Sequence, residues 1–259
     1  MDVLKFFVAI LPLFVLGLYI YVHDKEKEPT SLLIASFIVG ALICIPCIYV
    51  EQALSNSLSF LTSNIVGCFL YVLICIAIVE EGYKYLGTYI LIYDNKNNDY
   101  TFDAIVYTTF LALGFSFFEN MIYLTQVPLQ SMILRGFTAV PVHVACGVIM
   151  GYYFSKTKSS KENNKTNFFK AFLYPALIHG FYNYYLIYIA ERIKTLMSAK
   201  ASIAIIYSFL VLLLSILYLG VHYIIIESSD NDRKIYKLRR WSNECNILRF
   251  WWSISNCSL

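Results

Sequence analysis

Seven stretches of this chain are long and apolar enough to cross a lipid bilayer: residues 3–22, 31–50, 65–92, 103–124, 132–154, 168–190 and 201–226. No other feature limits the fold so strongly. A spanning segment takes about 20 mostly apolar residues as a helix, because its backbone N–H and C=O groups must pair internally where there is no water. The predicted fold is therefore all-α, a polytopic membrane bundle of about seven transmembrane helices. Composition agrees, with 59% of the 259 residues hydrophobic and 14% charged, against roughly a quarter charged in soluble domains. Residues 1–226 read as one membrane-embedded domain, and 227–259 as a basic and aromatic tail suited to a membrane surface or to loose docking. The net charge of +3 carries no sign of a nucleic-acid partner; the lipid bilayer is the partner that the composition requires.

Loop charges predict the orientation. With seven spans, Lys25, Lys27, Lys96, Lys156, Lys158, Lys161, Lys165, Arg233, Lys234, Lys237, Arg239, Arg240 and Arg249 fall on one side, and Arg135, Arg192, Lys194 and Lys200 on the other. The positive-inside rule then puts the amino terminus outside and the tail in the cytoplasm. Cys44-x-x-Cys47 would suggest redox or metal chemistry in a soluble protein. Inside "LICIPCIYV" it reads as packing, since a buried free thiol behaves as a small hydrophobe.

Against this apolar background, "IAIVEEGYKYL" (76–86) places Glu80, Glu81 and Lys84 mid-span. The next three helices add Glu119 with Asn120, then His143, then His179 with Asn183. A charged residue at the centre of a spanning helix costs about 2.5–3.5 kcal/mol on insertion scales, and such residues mark function by default. Four successive helices carrying that cost point to one shared polar site. Glu80 and Lys84 are an i,i+4 pair, as are Phe115 and Glu119, and His179 and Asn183, so each pair shares a face. Glu80 and Glu81 point about 100° apart and cannot do the same job. Glu81 with Lys84 reads as support. Glu119 falls nearer the outer end of its span than the histidines do, so the site is expected to open outward.

The chemistry of this set is hydrolytic. A buried carboxylate can take a proton from water and return it to a leaving group, while His and Asn hold a carbonyl oxygen as it gains charge. Alternatively, His143, His179, Glu80 and Glu119 are candidate ligands for Zn²⁺, which activates water itself. There is no H-E-x-x-H and no G-x-S-x-G. A membrane lipid hydrolase would use similar residues. A proton-coupled transporter is the alternative from another class, although no internal repeat is visible.

The ordered set Glu80-Glu81-x-x-Lys84, Gly114-Phe115-x-x-x-Glu119-Asn120-x-x-Tyr123, His143-x-x-x-Gly147 and His179-x-x-x-Asn183 resembles the PrsW family of intramembrane proteases, over residues 70–190. The resemblance implies a bacterial plasma-membrane protease. Its substrate would be a single-span anti-sigma factor, cut first on the extracytoplasmic side to release an extracytoplasmic-function sigma factor in a stress response. The family is related to the Abi/CAAX prenyl endopeptidases, and that kinship implies Glu80 as water activator, Glu81 in support, and His179 with Asn183 as an oxyanion pair. Glu119 stands where those relatives carry His.

Overall fold

The structure is a computed structural model describing residues 3–159 and 164–255. Among the described residues every regular element is helical. The helices are α1 (Val3–His23), α2 (Thr30–Leu58), α3 (Ile65–Val72), α4 (Ile78–Ile92), α5 (Thr101–Gln126), α6 (Leu129–Phe137), α7 (Ala139–Ser159), α8 (Asn164–Tyr184), α9 (Ala190–Leu196) and α10 (Ala199–Ser255). A π turn, Leu73–Ala77, joins α3 to α4, and a second, Tyr185–Ile189, joins α8 to α9. Among the described residues, six helical stretches have the length and hydropathy of a span. The remaining predicted one, 168–190, is helical but more polar, because it carries His179, Asn183 and a run of tyrosines.

Burial separates an inner from an outer layer. In the most apolar window, 78% of Thr101–Gln126 and 72% of Leu129–Thr157 is buried, against 11% of Ala199–Leu238. The inner helices α5 and α7 therefore form the core, and α1, α2 and α10 turn apolar faces outward toward lipid. Small residues permit this close packing. Gly40 of α2 lies on the α5 backbone at Leu111, and Gly114 of α5 lies on the α2 backbone at Phe37; a Cβ at either would overlap the opposing carbonyl. On the other flank of α5, the Thr108 hydroxyl donates to the Gly147 carbonyl of α7 at 2.8 Å.

α4 continues through Gly87, which makes room for the side chains of Leu111, Ile43 and Val39. An irregularity lies earlier, in the π turn just before Glu80, and π turns are frequent beside functional groups. α10 runs unbroken from the last span into the basic segment; residues 256–259 lie outside the described ones. Cys44 and Cys47 are buried free thiols, as the packing reading expects.

Candidate active site

The four helices singled out by their polar residues do converge. From α4, Lys84 Nζ donates to Glu81 Oε1 at 2.8 Å and Glu80 Oε2 at 3.4 Å. It also lies 2.8 Å from His143 Nδ1 of α7. His179 Nδ1 of α8 lies 2.8 Å from Glu81 Oε1 and 3.8 Å from Glu80 Oε2. The two imidazoles meet edge to face, 4.9 Å between centroids. Because an ammonium only donates, His143 Nδ1 is the acceptor, which leaves Nε2–H to donate to Glu119 Oε2 of α5 at 2.9 Å. By the same logic His179 Nδ1–H donates to the Glu81 carboxylate, leaving Nε2 with a lone pair.

Glu80, Glu119, His143, His179 and Asn183 line a cavity of about 430 Å³ that extends to Glu51 and Gln126 at the carboxyl ends of α2 and α5. Glu81 does not line it and is fully buried behind Glu80. The 100° offset between adjacent residues thus divides the two carboxylates between the cavity wall and the packed interior. Leu134 and Leu186 belong both to this wall and to an apolar groove of about 540 Å³ between α9 and α10.

Asn120 does not join the cluster. Its amide donates to the Ala9 carbonyl of α1 at 3.1 Å and accepts from Arg135 Nε at 3.2 Å. Arg135 is the residue that sequence reasoning missed. Its Nη2 pairs with Glu119 Oε1 at 2.9 Å, and its guanidinium covers the Tyr123 ring at 3.9 Å. Counted only as a loop charge, it is held in the site by the short helix α6. Its signal was the amphipathic "LQSMILRGF", too short for a span. Glu51 was missed too, because the apolar run appeared to end at 50 while α2 continues to Leu58.

The residues fit a metal ion. One ligand atom each from Glu80, Glu81, His143 and His179 can be chosen with all four within 4.8 Å of one another, and imidazole with carboxylate is a set that divalent transition metals take. Glu81 Oε2 is buried without a hydrogen-bond partner, an atom that a cation would satisfy. Glu119 lies outside the group; on the far nitrogen of His143 it fixes ring and tautomer, as carboxylates behind metal-binding histidines do.

A second polar cluster sits at the other end of α5. Tyr107 donates to Glu28 Oε2, and Glu28 shares a hydrogen bond with Asp103. Asp103 accepts from the backbone N–H groups of Asp99 and Tyr100 at 2.9 and 2.7 Å. Asp232 of α10 accepts from Phe102 N at 2.5 Å. In the α1–α2 connection, burial pushes the Asp24 carboxyl up to about 6. Burial, with Asp103 beside it, pushes Glu28 up to about 9.

Acids and histidines gathered from four helices of a membrane-spanning bundle around one cavity are the equipment of an intramembrane hydrolase. Residues 28–217 match the family described as "PrsW family intramembrane metalloprotease", and this chain belongs to that family. Protease PrsW of Oceanobacillus iheyensis is 37% identical over 178 residues, 69% of this chain and 80% of the relative. The Clostridioides difficile protein is 34% identical over 189 residues, covering 70% and 78%. That of Bacillus subtilis is 28% identical over 171 residues, covering 65% and 76%. No solved structure matches the chain. The chain is thus a multi-pass membrane protease with bacterial relatives.

Proposed function

We propose that this protease makes the first cut in a single-span, membrane-anchored anti-sigma factor, at the outer face of the bacterial plasma membrane, with Zn²⁺ as its ion. The observation that carries the peptidase chemistry is Glu80 on the wall of the polar cavity, backed by Glu81, His143 and His179. The anti-sigma substrate comes from the family resemblance. On the orientation given by the loop charges, the Glu51 and Gln126 end of the cavity faces outward, which suits an extracytoplasmic cut.

Glu81, His143 and His179 would hold the ion, which when bound would supply a Lewis acid and lower the pKa of water, leaving the cavity-lining Glu80 free. Glu80 takes the proton from the attacking water and returns it to the leaving amine. Asn183, on the cavity wall, donates its amide N–H to the carbonyl oxygen as charge develops. Glu119, anchored by Arg135, keeps His143 in one tautomer. Leu134 and Leu186, where the cavity meets the apolar groove, mark the entry for an unwound substrate segment.

Co-expression with tagged single-span anti-sigma factors tests this reading, wild type beside Glu80→Gln and His179→Ala. A shortened substrate only with the wild type is the expected result. Intact substrates throughout, with turnover of lipid esters instead, would overturn it.

A further inference from the structure

Lys84 is spent neither on solvent nor on a simple pair. Its ammonium is 1% exposed and has three N–H donors. They face Glu81 Oε1 at 2.8 Å, His143 Nδ1 at 2.8 Å and Glu80 Oε2 at 3.4 Å, with the Phe115 ring at 4.3 Å on a further side. Those three residues are three of the four metal-ligand candidates. His143 has no second nitrogen to offer a metal, because Nε2 is committed to Glu119. An ammonium and a divalent cation therefore need the same atoms in the same small volume, and like charges there would repel.

We propose that Lys84 is a built-in competitor for the metal. Its ammonium holds the donor atoms of Glu80, Glu81 and His143 in position, and an incoming ion must displace it from them. The four-carbon stem is flexible enough to swing aside, whereas a rigid guanidinium would not yield as readily. Lys84 is thus a positioning residue that sets how tightly the protease takes its metal. The inference rests on the metal reading of this cluster.

The test is a Co²⁺ titration of the full chain in detergent, read by d–d absorption, with thermal unfolding followed in parallel. Lys84→Met is expected to bind Co²⁺ at least about tenfold more tightly than wild type, and to melt earlier than wild type without metal. Lys84→Arg is expected to bind about tenfold more weakly. Wild-type affinity or weaker in a folded Lys84→Met protein overturns the inference. If Lys84→Met does not fold, Lys84→Arg decides: binding at wild-type strength overturns it, weaker binding supports it. The underlying metal reading fails separately, if wild type and Glu80→Gln/His179→Ala take up Co²⁺ alike.

Discussion

The Glu80–Glu81 cluster and the Glu28–Asp103 cluster both bury carboxylates among apolar helices, at opposite ends of the same bundle. In the first, Lys84 pairs with both acids and Arg135 pairs with Glu119, so each carboxylate has a cation beside it. In the second, the acids are held by Tyr107, by each other and by backbone N–H groups. That arrangement stores a proton and ties the α1–α2 connection, the start of α5 and α10 together. Only the first opens on a large cavity, about 430 Å³ against about 10 Å³ at the second. Buried acid alone does not make a site; adjacent cations and room for a substrate distinguish the first cluster.

The largest expected effect separates the two. Glu80→Gln should lower cleavage of a co-expressed substrate by about 10²–10⁴-fold, the usual worth of a general base, while Glu28→Gln should keep the rate within about twofold of wild type. A Glu28→Gln protein that folds but does not cleave would break the contrast. Arg135→Met should come next. Removing one partner of a mostly buried ion pair costs about 3–5 kcal/mol, discounted here because both side chains are 18% exposed. An earlier melt and weaker Co²⁺ uptake are the readouts, and unchanged uptake would remove Arg135 from the site. Smaller again, Gly114→Ala should cost about 1–3 kcal/mol through overpacking against α2, seen as a lower Tm.

A further contrast is one of pH. Glu28 titrates near 4.3 in an unfolded chain and is pushed up to about 9 when folded. The native state then holds the extra proton between those values, so stability falls as pH rises through that window. Asp24, pushed up to about 6, adds to the fall between its unfolded value near 3.9 and about 6. Thermal unfolding from pH 5 to 9 should show Tm declining in wild type and a shallower decline in Glu28→Gln. Equal slopes would mean that Glu28 is not the proton store.

Much of the active cluster was legible because buried charge is expensive: Glu80, Glu81, Lys84, Glu119, His143 and His179 stand out from apolar surroundings before any contact is known. The second cluster was not, since Asp24, Glu28 and Asp103 lie at helix ends where acids are ordinary. Glu51 was hidden for the same reason, one residue beyond a span boundary, and Arg135 because it fell in the first turn of the predicted span 132–154, where a cation reads as a loop charge. Asn120 reaches Glu119 only indirectly, since the helix turns it toward α1 and toward Arg135, whose guanidinium pairs with Glu119.

Length and apolar periodicity by themselves determined an all-helical membrane bundle, and the cost of burying charge determined which helices had to meet. Tertiary structure decided the rest: that Glu80 faces the cavity and Glu81 the interior, that Arg135 returns from α6 to clamp Glu119, and that Lys84 sits among the candidate metal donors. Helical spacing fixes the face a side chain shares with its own helix. It carries no information about which neighbouring helix that face will meet, because that depends on how closely the glycines of α2, α5 and α7 let the backbones approach.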